Sequence, residues 1–160
     1  ADLEYAHDAV LELYAEDVET SEEQAWQRLF GDLRYVLSAA VMSEAMATVQ
    51  QPSWQYFTDF VPRAYRDEWL GTPHAVETMF LFAGHKSDDP EVKALAERMR
   101  AYWTNFARNG NPNEEGGITW RANIPGKTNW LVLGSEDSPN VNPLDAKLAL
   151  LTGHYMRRHL

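Results

Sequence analysis

The stretch GTPHAVE, residues 71–77, places a histidine on a short, stiff loop with a carboxylate three residues later. Pro73 restricts the backbone just before His74, and Gly71 permits a tight turn. Imidazole changes its protonation near neutral pH, which suits it to general acid–base catalysis. If a helical turn begins at His74, Glu77 lies on the same face and can orient the ring or its surroundings. A histidine that serves only packing is the competing interpretation.

Other catalytic and ligand-binding patterns are missing from the sequence. The nucleophile elbow G-x-S-x-G does not occur, because LGSED at 133–137 lacks the second glycine. Glycine-rich phosphate loops do not occur either. His85, Asp88 and Asp89 could be considered as metal ligands, but two of them stand at a predicted helix start, where capping explains them. We therefore predict no cofactor and no metal site.

The composition predicts one globular domain. The 160 residues are 44% hydrophobic and 12% aromatic, which is enough for one packed core. A net charge of −10 repels phosphate backbones and argues against a nucleic-acid partner. No apolar run approaches the roughly 20 residues that span a bilayer. The absence of cysteine excludes disulfides and leans slightly towards a cytoplasmic location, although a secreted protein is also possible.

Hydrophobic periodicity predicts a mostly helical chain with two strands. The aromatic run WQYFTDFV suits a buried strand in the middle of a sheet, and WLVLG is a shorter strand candidate followed by a loop, DSPNVNP. Two strands alone do not make a stable sheet, so further strands are expected from outside this sequence. The predicted elements are helices at 3–14, 21–49 with an interruption at Gly31–Asp32, a short one after His74, 89–108 and 144–160, and strands at 54–61 and 130–134.

Two motifs resemble the type B carboxylesterase and cholinesterase family. EWLGTPHAVETMFLFAG, 68–84, resembles the catalytic-histidine segment W-x-G-x-x-H-G-x-E-x-x-F-x-F-G, and YWTNFARNGNPN, 102–113, resembles Y-W-x-x-F-A-x-x-G-x-P-N. The motifs stand in the family's order and separation, and QYFTDF fits the strand before the histidine. The resemblance covers nearly the whole chain and is to bacterial, para-nitrobenzyl esterase-like members in particular.

This resemblance implies an α/β-hydrolase fold. Residues 1–160 would form the C-terminal part of one catalytic domain, mostly helical, with two or three strands that complete a larger sheet. The family hydrolyses carboxylic esters with a Ser-His-Glu/Asp triad, so His74 would be the general base. Glu77 would support the base from just outside the reacting groups. Trp69 would help to wall the substrate pocket, with plain core packing as the alternative for this side chain.

The resemblance also implies a missing partner. The family's serine elbow, oxyanion-hole glycines and acidic triad member lie upstream of this segment and are absent from this sequence. The expected partners are therefore a small-molecule ester and the N-terminal portion of the same enzyme, on the same or a second chain. The isolated chain is expected to be inactive.

The departures from the family pattern are small. Ala75 stands where the family often has glycine, a substitution that we expect to be tolerated. Ser38 and Thr152 take the positions of a cysteine pair found in animal members, which suggests a microbial member. Two other functions stay open. One is a non-catalytic, cholinesterase-like adhesion module, which the retained His74 and Glu77 disfavour. The other is a free-standing helical domain that binds a partner.

Overall fold

A computed structural model describes the backbone of residues 2–159 and the side chains of residues 8–155. Helices dominate this part of the chain, and three short strands form one sheet. The helices are α1 Asp2–Leu13, α2 Ala15–Thr20, α3 Glu22–Gly31, α4 Leu37–Thr48, α5 Val76–Ala83, α6 Pro90–Asn109 and α7 Asp145–His159, with a π-helical turn at Asp32–Val36 and 3₁₀ turns at Arg63–Tyr65 and Gly84–Lys86. The strands are β1 Gln55–Thr58, β2 Trp130–Leu133 and β3 Ser138–Val141.

In the helical part of the chain before β1, one predicted helix start is confirmed and one predicted helix interruption is wrong. The Ser21 hydroxyl caps α3, where its Oγ accepts a hydrogen bond from the Gln24 backbone N–H at 2.9 Å. The predicted interruption at Gly31–Asp32 is wrong, because the chain continues through the π-helical turn into α4. Asp32 is compatible with a continuous helix because its carboxylate accepts a bond from the Tyr14 hydroxyl at 2.6 Å rather than competing for its own backbone.

The sheet has the order β1-β2-β3, with β1 parallel to β2 and β2 antiparallel to β3. The strand predicted at 54–61 is shorter than expected, and within the described residues its one strand neighbour is β2. The strand predicted at 130–134 is confirmed as β2. The loop predicted for DSPNVNP is wrong at Ser138–Val141, which form β3. A strand at the edge of a sheet tolerates Pro139, which donates no ladder bond.

The longest helix, α6, packs on the sheet and is the element closest to its prediction. Asp89 caps it by accepting a bond from the Glu91 N–H at 2.9 Å, and Gly110 ends it in the left-handed region with φ +67°. Its apolar side chains Val92, Leu95 and Met99 are buried, whereas Phe106 is 51% exposed. The buried core joins α6 to β2 and α5 through Phe60, Phe80, Val92, Leu95, Met99, Trp120, Leu131 and Leu133.

Candidate active site

The loop that carries His74 begins beyond the end of β1, and one side chain fixes it there. The Thr72 hydroxyl accepts a hydrogen bond from the Phe60 N–H at 2.8 Å and donates to the Phe60 carbonyl at 3.1 Å. A single side chain thus pairs both backbone groups of a residue that has left the sheet. Our reading of the sequence missed Thr72, although a hydroxyl two residues before the histidine was an available signal.

A second anchor reaches the same loop from α3. The Arg28 guanidinium donates to the Leu70 carbonyl at 3.0 Å and lies 3.4 Å from the point where a Cβ on Gly71 would stand. Asp17 holds Arg28 through an ion pair at 2.8 Å and also pairs with the Lys147 ammonium at 3.0 Å. These contacts connect the histidine loop to α2, α3 and α7.

A buried polar pair, Tyr14 and Asp32, lies beside this network. Tyr14 is 2% exposed and Asp32 8% exposed. Burial raises the pKa of both side chains, and the hydrogen bond to Asp32 raises the pKa of Tyr14 further. The Lys147 ammonium stands 4.0 Å above the Tyr14 ring. The pair therefore has a structural effect, because it fixes the start of the π-helical turn against α1 and α7.

His74 itself is exposed in the turn that leads into α5. Its imidazole stacks on the phenol ring of Tyr35, with the ring centroids 3.5 Å apart and the planes inclined by 8°. Tyr35 belongs to the π-helical turn, and Phe30 meets its ring edge-on with centroids 6.4 Å apart. The histidine is thus accessible from solvent while one face of its ring is covered.

The residue after the histidine has an unusual backbone conformation. Ala75 lies in the left-handed region with φ +67° and ψ 2°. Glycine adopts this conformation freely, whereas an L-residue with a Cβ is strained by about 1–2 kcal/mol. The turn nevertheless forms with alanine, and the Thr78 hydroxyl donates to the Ala75 carbonyl at 2.7 Å. The position where the resemblance leads us to expect glycine is therefore one where glycine has a physical advantage.

Glu77 and Trp69 have neighbours other than the histidine. Among the residues with described side chains, no hydrogen bond or ring stacking joins either of them to His74. Glu77 lies in the first turn of α5, and its charge adds to burial in raising the pKa of Tyr56. Trp69 is half-buried and stacks on Tyr65, with centroids 4.4 Å apart and planes inclined by 10°.

A cavity of about 320 Å³ lies away from the histidine, between α6 and the segment that precedes β1, and none of the three predicted site residues lines it. It is lined mainly by aromatic side chains from α6 and the flanking loops, including Trp54, Trp103 and Trp120. In the described part of the chain no three histidine, aspartate or glutamate side chains gather as metal ligands. No described helix combines the length and the low polarity needed to cross a bilayer.

Sequence relatives of this chain are esterases. The Carboxylesterase family matches residues 2–150. Pyrethroid hydrolase Ces2a of Mus musculus is 32% identical over 113 residues, which make up 66% of this chain and 20% of that protein. The acetylcholinesterase of Bungarus fasciatus is 29% identical over 98 residues, 58% of this chain and 16% of that protein. The chain therefore spans about a fifth of the length of these curated relatives.

The solved structures that resemble this chain are also esterases. PNB esterase superimposes with a TM-score of 0.71 at 25% identity, over 89% of this chain and 30% of that one. The carboxylesterase EST55 of Geobacillus stearothermophilus gives a TM-score of 0.67 at 23% identity, over 88% of this chain and 31% of that one. These matches confirm the predicted α/β-hydrolase fold class. With a family match that extends over residues 2–150, the chain belongs to the carboxylesterase family.

Proposed function

We propose that residues 1–160 form the histidine-bearing, C-terminal segment of an α/β-hydrolase catalytic domain that hydrolyses small carboxylic esters. The observation that carries this proposal is the setting of His74. Its ring is exposed, while its loop is fixed at Thr72 and at Leu70 by bonds to the backbone. A general base needs this combination, because it must reach the substrate and must also hold its position.

In the proposed reaction, His74 takes the proton from a serine hydroxyl that another part of the polypeptide supplies. The serine oxygen attacks the ester carbonyl carbon, and the protonated imidazole then gives its proton to the departing alkoxide. In the second half, the neutral imidazole takes a proton from water, which attacks the acyl-serine. The carboxylic acid leaves as the serine regains its proton from the imidazole.

Glu77 and Trp69 have indirect roles in this proposal. Glu77 contributes a negative charge near the start of α5 without bonding the base, which suits a residue that shapes the surroundings of the site. Trp69 stacks on Tyr65 on the connector between β1 and the histidine loop. We propose that this pair borders the substrate pocket once the rest of the catalytic domain is in place.

The N-terminal portion of the enzyme is the proposed partner of this segment. Within the described residues, β1 pairs only with β2, so its other edge is open to another strand. Several large apolar side chains are more than 60% exposed, namely Trp26, Phe30, Met42, Val49, Met79 and Phe82. An apolar surface of this kind suits an interface inside a larger domain. We therefore expect the chain alone to show no ester turnover.

The test is steady-state hydrolysis of p-nitrophenyl acetate by the complete gene product and its His74→Ala variant. We expect kcat to fall by about four to six orders of magnitude, as loss of the base does in other triads. His85→Ala is the matched control, because His85 is also exposed but lies in the 3₁₀ turn after α5. Near-normal turnover by His74→Ala would refute the role of His74.

A further inference from the structure

We propose that Tyr35 is a positioning residue for His74, a role that rests on the proposed function of His74 as the base. The phenol ring covers one face of the imidazole at a centroid distance of 3.5 Å and an angle of 8°. Stacking of this kind restricts rotation of the imidazole about its side-chain bonds. It therefore holds the ring nitrogens in one plane and leaves the opposite face and the edge to the reacting groups.

The same contact changes character when the base takes up its proton. A cation within about 6 Å of an aromatic centroid is attracted to the ring face, and the attraction grows where water is excluded. The imidazolium forms only after the serine has lost its proton, so this attraction acts in the transition state more than in the ground state. By that reasoning Tyr35 contributes to kcat and has little effect on substrate binding.

The backbone under Tyr35 is built for this placement. Tyr35 lies in the π-helical turn Asp32–Val36, a rare conformation that recurs at functional sites. The bond from Tyr14 to Asp32 fixes the start of the turn, and the buried Leu37 follows its end. A regular α-helix through the same residues would direct position 35 elsewhere, because the wider turn changes the rotation between successive side chains. The π-helical turn thus determines which side chain faces the histidine.

The ring rather than the hydroxyl carries the proposed role. Among the residues with described side chains, none forms a hydrogen bond with the Tyr35 hydroxyl. Phe30 packs edge-on against the ring, with the planes at 82°. Tyr35→Phe therefore keeps every contact that the structure shows at this position. Tyr35→Leu keeps much of the bulk and removes the aromatic face, which makes it a gentler change than alanine.

The first measurement is steady-state kinetics of the complete gene product with p-nitrophenyl acetate. We expect Tyr35→Leu to lower kcat about tenfold with KM within about twofold, and Tyr35→Phe to keep wild-type kcat. Phe106→Leu is the control, since Phe106 is an aromatic residue with 51% exposure on α6 and its ring contacts Trp54 rather than His74. An unchanged kcat in Tyr35→Leu, a loss confined to KM, or an equal loss in Tyr35→Phe would each overturn the proposal.

The second measurement does not depend on catalysis. The ring current of Tyr35 should move the His74 ring-proton NMR signals upfield, and His74→Ala identifies those signals. We expect the upfield shift to persist in Tyr35→Phe and to disappear in Tyr35→Leu. If the upfield shift is absent from the wild-type protein, the stacking proposal fails regardless of the kinetic results. If the shift is present but His74→Ala retains full turnover, the proposed function fails instead.

Discussion

The two motif residues His74 and Asn113 lie on different loops and use their side chains in opposite ways. Hydrogen bonds to the Leu70 carbonyl and to the Thr72 hydroxyl hold the histidine loop in place, while the His74 ring remains exposed. In the loop after α6, the Asn113 side chain is occupied with backbone, because it accepts from the Trp120 N–H at 2.7 Å and donates to the Trp120 carbonyl at 2.9 Å. A motif side chain that is hydrogen-bonded to backbone groups stabilises the fold. An exposed motif side chain is available for chemistry.

This difference separates two consequences of substitution. Trp120 is 4% exposed, so its backbone groups have no access to water if Asn113 is removed. Changes in the Asn113 loop should therefore act on stability. Changes at His74 should act on turnover, and changes at the anchors of the histidine loop should act on both.

The largest effect on stability is expected for Asn113→Ala. It leaves the buried N–H of Trp120 without a partner, while the Trp120 carbonyl keeps the bond from the Trp54 indole N–H at 3.1 Å. The free energy of unfolding should fall by about 1–3 kcal/mol. Urea unfolding of the complete gene product measures this loss, and kcat per folded molecule should not change. Asn105→Ala is the control, because Asn105 makes one long bond of 3.4 Å to the Pro112 carbonyl. Equal losses in the two variants would contradict the stabilising role of the Asn113 side chain.

Thr72→Val should affect both stability and turnover. Valine matches the shape of threonine but cannot pair the Phe60 N–H and carbonyl, which we expect to cost about 1–2 kcal/mol of unfolding free energy. Because the loop then loses its tie to the end of β1, we also expect kcat to fall about tenfold. Thr104→Val on α6 is the control for the chemical change, since Thr104 is exposed. Unchanged kcat in Thr72→Val would show that this anchor does not position His74.

Ala75→Gly should give the smallest effect, and a favourable one. Relief of the left-handed strain should raise the free energy of unfolding by about 1–2 kcal/mol. The greater freedom of glycine in the unfolded chain should lower it by about 0.5–1 kcal/mol. We expect a net increase of about 0.5–1 kcal/mol in the free energy of unfolding. Ala94→Gly, at an exposed site in the right-handed helix α6, should instead lose about 1 kcal/mol. A loss in Ala75→Gly would contradict the strain at this turn.

Local signals in the sequence predicted the fold better than contacts between distant residues. The cap at Asp89 and the stop at Gly110 are properties of a few adjacent residues, and α6 begins and ends at them. The register between β1 and β2, by contrast, joins segments far apart in the sequence, and β1 is shorter than the strand predicted at 54–61. β3 pairs with β2 across the short connection at residues 134–137, and the loop predicted for DSPNVNP did not anticipate this pairing.

The candidate site shows the same limit. His74 could be identified from its loop and its motif, both of which are local. Arg28 and Leu70 are 42 positions apart, and Tyr35 stacks on His74 from the π-helical turn. No periodicity in the sequence predicts such contacts, since they depend on how α3 and the turn after it pack against the loop.

The central claim is that His74 moves a proton for a serine carried elsewhere in the polypeptide. Its most direct test is the rate at which a fluorophosphonate labels that serine in the complete gene product, compared between His74→Ala and His85→Ala. We predict that His74→Ala slows labelling by about three orders of magnitude or more, because an unassisted hydroxyl is a poor nucleophile, and that His85→Ala labels at the wild-type rate. Labelling of His74→Ala at the wild-type rate would contradict the claim.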